Sequence, residues 1–400
     1  MGFIADRIGR IIPSASSLAT QRARELAAAG RDVLSLSQGE PDFPTPDHVI
    51  EAAHKAMREG LTRYTTIDGI PPLKAAIIEK FKRENNLVFK PEQVSAGAGG
   101  KQVLFNALMA SVNPGDEVVI PAPFWLAYRD MVDFADGRSV MVATTAQTGF
   151  KVTAAQVEAA ITPKTKWLML NSPGNPAGGT YSADELRQIA AVLDRHPHVW
   201  LLTDDIYEHV IFDGRTFATM LNVAPQLADR CLIVNGVSKT YAMTGWRLGF
   251  GAGPATLIRA MAKMQIQATA NPSSVSQAAA AAALTGPQDF VPQRCAEVER
   301  RRNRIVPLLN AIPGLSCENP EGAFYVYVSC AGWLGRKTPD GQVLKTDSEV
   351  AMYLLEEAGV ATVHGEAYGM SPYLRISIAS SMEHLEEASR RMARAGEQLQ

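Results

Sequence analysis

The sequence predicts an α/β protein of two domains, a larger doubly wound unit and a smaller α+β unit. Three observations carry the prediction. From about residue 48 to 290, short apolar runs alternate with helix-period segments, the pattern of a largely parallel sheet covered by helices. Beyond residue 290 a long helical stretch gives way to shorter strands and helices of different texture. At 400 residues the chain is also too long for one simple core. The expected division is residues 48–295 for the large domain, with 1–47 and 296–400 forming the small one.

Taken in order, "SLATQRARELAAAG" (17–30) reads as a helix and "VLSLSQG" (33–39) as a strand, both expected to pack on the C-terminal part. In the large unit "DEVVIPAP" (116–123), "KWLMLNSP" (166–173), "VWLLTDD" (199–205), "RCLIVNG" (230–236) and "RLGFGAGP" (247–254) are continuous apolar runs, as strands buried on both faces require. Each ends in a polar or Gly/Pro turn. Between them "SADELRQIAAVLDRH" (182–196) is a helix whose Ser182 and Glu185 make a capping box. The helix "VPQRCAEVERRRNRIVPLLNAI" (291–312) leads into the small unit, where "EGAFYVYVSC" (321–330), "GVATVHG" (359–365) and "YLRISIAS" (373–380) read as strands. Helices are expected at "DSEVAMYLLEEAG" (347–359) and "SMEHLEEASRRMARAG" (381–396).

Composition narrows the function. Apolar residues make up 46% and charged residues 20%, ordinary for a soluble globular chain, and a net charge of −2 offers no basic surplus for nucleic acid. No apolar stretch reaches membrane-spanning length, and the N-terminal segment has no apolar core of signal-peptide type. The four cysteines form no C-x-x-C pair, which predicts reduced thiols and a cytoplasmic protein. The seven histidines show no metal-ligand spacing, so no metal site is expected.

Ligands of α/β sheets bind beyond the carboxyl ends of the strands, so the residues just after each apolar run carry the information. After "VSAGA" come Gly99, Gly100 and Lys101 and then a helix, where small residues let backbone N–H groups approach an anion at the positive end of the helix dipole. Asn175 follows one strand, Asp204, Asp205 and Tyr207 follow the next, and Lys239 the one after. Read singly, these are a plain turn, turn chemistry, helix caps and a solvated charge. Their coincidence at one sheet edge fits pyridoxal phosphate. That cofactor needs an amine for its Schiff base, a carboxylate for its ring nitrogen, a donor to its phenolate oxygen and an anion pocket for its phosphate. Lys239, Asp204, Asn175 with Tyr207, and the Gly99-Gly100 turn with Arg247 supply these parts.

Nearly the whole chain resembles the fold-type I, class I aminotransferases, and most closely the bacterial branch of aspartate and aspartate/prephenate aminotransferases. The motifs "SLSQGEPDFPTP", "RYTTIDGIPPLKAAI", "GAGGKQVLFNA", "PAPFW", "NSPGNPAGG", "TDDIYEH", "NGVSKTYAMTGWRLGF" and "PYLRIS" stand in the family's order. The resemblance implies a mostly parallel seven-stranded sheet. It implies that Lys239 is the Schiff-base lysine and proton shuttle, and that Asp204, three residues before Tyr207, is the ring-nitrogen partner in preference to Asp205. Asn175 and Tyr207 resemble the phenolate-oxygen ligands, and Trp125 the aromatic that stacks on the ring. Gly99, Gly100, Ser238 and Arg247 fall at or beside phosphate-binding positions. Tyr64 resembles a tyrosine lent to the neighbouring subunit's phosphate, implying a homodimer with shared sites. Arg375 and Gly39 resemble the contacts to the substrate α-carboxylate, and Lys101, with Ser16 nearby, the contacts to a distal carboxylate. Ala177, Ala98 and Gly236 stand where many members carry hydroxyl residues, as Ser16 does where Thr is usual, with Ser14 two residues before it. The expected reaction moves an amino group between an acidic amino acid and a 2-oxo acid in a ping-pong cycle. An aromatic or prephenate-directed aminotransferase, a lyase or decarboxylase, and a regulatory protein on the same scaffold are the alternatives.

Overall fold

The computed structural model describes residues 3–11 and 15–400. An N-terminal helix, Ala15–Ala28, precedes β1 (Leu34–Ser35). The large sheet holds β2 (Val94–Gly97), β3 (Glu117–Ala122), β4 (Arg138–Ala143), β5 (Thr165–Asn171), β6 (Trp200–Asp204), β7 (Cys231–Gly236) and β8 (Gly249–Ala252), in the spatial order β2-β8-β7-β6-β5-β3-β4. The pairings among β7, β6, β5, β3 and β4 are parallel, and β8 runs antiparallel to both of its neighbours, β2 and β7. The sheet is therefore seven-stranded and mostly parallel.

Burial explains why these runs become strands. Every residue of β7 is buried, from Cys231 to Gly236, as expected for a central strand with helices on both faces. One face packs Leu168, Leu170, Leu201, Ile233 and Phe250 under helices Pro71–Asn85, Ala183–Arg195 and Ser274–Thr285. The other packs Val118, Ile120, Met169, Leu202 and Leu232 under helices Gly100–Ser111 and Ala255–Ala268. The Ser182 cap forms as expected: its Oγ accepts from the Glu185 amide at 3.2 Å, and Glu185 Oε2 accepts from the Ser182 amide at 2.7 Å.

The C-terminal part contains β9 (Tyr325–Ser329), β10 (Val360–Ala361), β11 (Val363–His364) and β12 (Tyr373–Ser377). The last joins β11 and β9 in an antiparallel sheet of order β11-β12-β9. The run "GVATVHG" thus forms two short strands rather than one. Val360–Ala361 pairs in parallel with β1, while Val363–His364 pairs with β12, so the chain changes sheets at Thr362. Ala23 and Leu26 of the first helix pack on Leu355 and Ala361. Helix Phe290–Asn310 runs through residue 295, with Phe290 against the large core and Val298, Ile305 and Leu309 in the small one.

Candidate active site

A cleft of about 310 Å³ opens where the carboxyl ends of β5, β6 and β7 meet the small sheet. Its floor is made by strand-end residues, which is why the sequence could point to it. Lys239, three residues beyond β7, is half-buried and donates from Nζ to the Gly39 carbonyl at 2.6 Å. Burial lowers its pKa to about 8, with the Arg375 and Arg247 charges acting in the same direction against Glu40 and Asp204.

Asp204, the last residue of β6, lines the same cleft. Its Oδ2 accepts from the Tyr128 hydroxyl at 2.7 Å and its Oδ1 from the Ile206 amide at 3.3 Å. Burial raises its pKa to about 6, while the Tyr128 hydrogen bond, the Ile206 amide and the Lys239 charge pull the other way. The neighbouring Asp205 is buried too but does not line the cleft, and desolvation lifts its pKa to about 8. Strand alternation is the cause: consecutive residues at a strand end face opposite sides of the sheet. Glu208 and Lys80 lie near Asp205 on that side.

At the opposite side Arg375, on β12 and 3% exposed, brings a guanidinium into the cleft. Nη1 donates to Asn175 Oδ1 at 3.2 Å, Nη2 donates to the Ser37 carbonyl, and Nε is buried without a partner. The guanidinium stacks on Tyr325 with 4.6 Å from its centre to the ring centroid. Tyr325 Oη lies 2.9 Å from Tyr207 Oη, and burial raises both phenol pKa values. A side chain at Gly39 would place its Cβ 2.1 Å from Tyr325 Oη, so only glycine lets the 39–40 segment approach this pair.

Gly99 has φ +84°, and a Cβ there would lie 2.6 Å from Arg247 Nη2. Glycine thus permits both the left-handed turn and the close seat of the guanidinium, which donates to the Thr244 carbonyl at 3.0 Å. Gly100 opens the helix Gly100–Ser111, and Gly100 and Lys101 line the cleft together with Ser238 and Arg247. This corner combines a helix N-terminus, a hydroxyl and a cation, which is anion-binding chemistry. Lys101 Nζ stands 5.0 Å from the Trp125 ring centroid, and partial burial with the nearby Arg247 charge lowers its pKa.

Of the residues singled out in the sequence, the cleft gathers Gly39, Gly100, Lys101, Trp125, Asn175, Asp204, Tyr207, Ser238, Lys239, Arg247 and Arg375. Gly99 supports it through Arg247. Tyr64 does not line it and stands 92% exposed. Ser14 and the side chain of Ser16 lie outside the described residues. The residues with fewer hydroxyls pack closely: a Cβ at Gly236 would be 3.1 Å from Gly249 Cα and 3.2 Å from Ile206 Cδ1, and Ala177 sits against the apolar cluster of Leu126, Tyr327 and Tyr368.

Sequence reasoning missed Tyr128, Tyr325 and a buried polar network behind the site. Lys80, 1% exposed, pairs with Glu208 and, at 3.4 Å, with Glu84, and donates to Asn85 Oδ1 at 2.8 Å. His209 joins Glu84 at 3.1 Å to Thr240 Oγ1 at 3.0 Å, and Asn235 donates to Glu208 at 2.7 Å. Burial alone would raise the Glu208 pKa, but the Lys80 and His209 charges and the hydrogen bonds from Lys80 and Asn85 together outweigh it and hold it below the ordinary value. The network ties together the loops that carry Asp204, Tyr207 and Lys239. The available signal was Lys80 itself, a charge on the buried face of helix Pro71–Asn85.

A family model for aminotransferases of class I and II matches residues 31–392, and the chain belongs to this family. It is an aminotransferase. The chain is 53% identical over 392 residues to the aspartate/prephenate aminotransferase of Cereibacter sphaeroides, covering 98% of each. Among solved structures it resembles the aspartate aminotransferase of Rhizobium meliloti, with a TM-score of 0.96, 52% identity and full coverage of both chains. It also resembles the Thermus thermophilus aspartate aminotransferase solved with maleate, with a TM-score of 0.92 and 39% identity over 99% of this chain and 100% of that one. Among the described residues no helix is long and apolar enough to cross a membrane, and all four cysteines are free.

Proposed function

We propose that this aminotransferase uses pyridoxal 5'-phosphate to exchange amino groups between an acidic amino acid, aspartate or glutamate, and a 2-oxo acid. The observation that carries the reading is the convergence in one cleft of the half-buried amine of Lys239, the carboxylate of Asp204 and the forked cation of Arg375. The donor set fits the cofactor: an amine of lowered pKa, a buried carboxylate, an amide and a phenol between them, and an anion corner formed by Gly99, Gly100, Ser238 and Arg247. When bound, the cofactor supplies a carbonyl that condenses with amines and a ring that withdraws electrons from the substrate α carbon.

The chain's own residues divide the remaining work. Lys239 holds the cofactor and moves the proton at the substrate α carbon, a task suited to an amine that loses its proton near pH 8. Asp204 would pair with the cofactor's ring nitrogen and favour its protonated form, and the Tyr128 hydrogen bond favours the charged form of Asp204. Asn175 and Tyr207 would hold the cofactor's phenolate oxygen, and Trp125 would pack against its ring. Arg375 clamps the substrate α-carboxylate with its planar fork, using donors now spent on Asn175 and the Ser37 carbonyl. Lys101 meets the second carboxylate.

Aspartate/prephenate aminotransferase is the name of the Cereibacter relative, and a maleate complex, holding a dicarboxylate, is described for the Thermus one. Prephenate carries a second carboxylate as well, so an acceptor role for it is compatible with the same Lys101. We further propose a cytoplasmic homodimer in which the exposed Tyr64 reaches the partner's phosphate corner, and domains divided near residues 47 and 296. A panel of amino donors against 2-oxoglutarate, oxaloacetate, phenylpyruvate and prephenate tests the substrate reading. Transfer from aspartate or glutamate should dominate, and transfer only from monocarboxylic donors would overturn it.

A further inference from the structure

Two groups of three potential metal-ligating side chains occur among the described residues. In the first, Glu84, Glu208 and His209, the place of a cation is already taken by the ammonium of Lys80. The second, Asp347, His364 and Glu366, has no lysine or arginine paired to it, and it lies in the small domain away from the cleft lining.

Asp347 opens helix Asp347–Glu357 and is 1% exposed. Its Oδ2 is occupied, accepting from the amides of Glu366 at 3.1 Å and Tyr373 at 3.2 Å. Its Oδ1 is buried and has no hydrogen-bond partner. His364, at the end of β11, likewise has its Nδ1 buried without a partner. Glu366 follows two residues later and is exposed. One ligand atom from each of the three lies within 4.8 Å of the others. Buried polar atoms left unpaired are destabilising, and Asp347 Oδ1 and His364 Nδ1 are two such atoms on residues of one small cluster, which calls for a partner there. Separations up to 4.8 Å are about twice a cation–ligand bond of roughly 2.0–2.6 Å, which leaves room for one ion between the three groups.

We propose that Asp347, His364 and Glu366 bind one divalent transition-metal ion. An imidazole with two carboxylates selects zinc or manganese over calcium and magnesium, which prefer all-oxygen shells. The backbone amides on Asp347 Oδ2 fix that carboxylate, as outer-shell hydrogen bonds do for metal ligands. The ion has a way in: His364 also lines a surface groove of about 370 Å³ between helices Ala15–Ala28 and Asp347–Glu357. Bound there, it would tie helix Asp347–Glu357 to the β11–β12 edge, where Val363 faces Arg375 in register.

The test uses tag-free holoenzyme stripped with a chelator and titrated calorimetrically with zinc chloride and with manganese chloride. One equivalent per chain should bind. His364→Asn and Glu366→Gln should each weaken binding by roughly tenfold or more, the range seen when part of a metal's ligand environment is lost. Both variants leave Asp347 in place, so circular dichroism should be unchanged; Asp347→Asn is avoided because Oδ2 also holds two amides. Zinc should raise the melting temperature of the parent protein and not that of the two variants. Absence of binding by the parent at millimolar metal, or undiminished binding in both variants, would overturn the assignment, and the two orphaned atoms would then be bridged by water.

Discussion

The hydroxyl of Tyr128 donates to Asp204 Oδ2 at 2.7 Å, and the two residues are both buried in the wall of the cleft. This bond opposes the desolvation that pushes Asp204 toward its neutral form. Tyr128→Phe removes it without changing the ring's shape. The Asp204 pKa, about 6 with the tyrosine present, should then rise. On the proposed pairing of Asp204 with the cofactor's ring nitrogen, cofactor affinity of the apoenzyme should fall as pH drops through the Asp204 titration, and the variant should show that midpoint moved to higher pH. At neutral pH kcat should fall roughly tenfold, the effect of losing one hydrogen bond to a charged group worth about 1.5 kcal/mol. An unchanged titration midpoint would mean that Tyr128 only fills space.

Asp204→Asn and Asp205→Asn should separate cleanly. The first removes the charge facing the cleft and should lower kcat far more than it raises KM. Taking one partner from a buried charge pair typically costs about 3–5 kcal/mol. Asp205 is held near pKa 8 by burial, so at pH 7 it is mostly neutral and its amide isostere should leave activity nearly intact. Stability carries the complementary sign. Between the ordinary aspartate value of 3.8 and about 8 the native state retains a proton that the unfolded chain has lost, so this group's contribution declines as pH rises through that window. The melting temperature of Asp205→Asn relative to the parent should therefore increase from pH 5 to pH 8. Exchange of the two activity phenotypes would reverse the assignment.

How much of this was legible follows from where each residue stands. Lys239, Asp204 and Asn175 each end an apolar run, and parallel strands deliver their ends to one edge, so linear position predicted spatial convergence. Tyr128 follows Trp125 by one helical turn, and nothing in "LAYRD" tells which way its hydroxyl points. Tyr325 lies inside the apolar run "FYVYV" and becomes a site residue only because β9 docks against the segment around Gly39. The strand β4 escaped notice because it sits at the sheet edge with alternating partial exposure and lacks the continuous apolar signature of its neighbours. The split of "GVATVHG" depends on two different partners, β1 and β12, which no local pattern encodes.

Lys239 should be the residue labelled when the holoenzyme is reduced with borohydride and its peptides are mapped. Lys239→Ala should remain folded and bind cofactor without turning over. Because only the neutral amine attacks a carbonyl, the rate of cofactor capture by the apoenzyme should rise with pH through about 8 and level off above it. A label on another lysine would remove Lys239 from its role.

Arg375→Lys keeps the charge and loses the fork. The guanidinium spans Asn175 and the Ser37 carbonyl at once, a reach that an ammonium point charge does not reproduce. With two charge-assisted hydrogen bonds weakened, kcat/KM should fall ~100-fold or more for every amino acid donor, since all carry the α-carboxylate. Stopped-flow measurement of the first half-reaction would check it. A loss confined to acidic donors would place the α-carboxylate elsewhere.

Lys101 should set the preference for a second carboxylate. Its ammonium sits 5.0 Å from the Trp125 ring centroid at the mouth of the cleft, on a flexible stem that can swing to a distal carboxylate or withdraw from an aromatic ring. Lys101→Ala should lower kcat/KM for aspartate and glutamate by ~10-fold or more, as expected for one charged hydrogen bond of about 1.5–3 kcal/mol. Activity with phenylalanine should change little, because the proposed seat of the α-carboxylate on Arg375 is untouched. Steady-state kinetics with aspartate and with phenylalanine, each paired with the same 2-oxo acid, would decide the matter. Equal losses for both donors would assign Lys101 to the cofactor's anion corner beside Arg247, whose charge already depresses the Lys101 pKa.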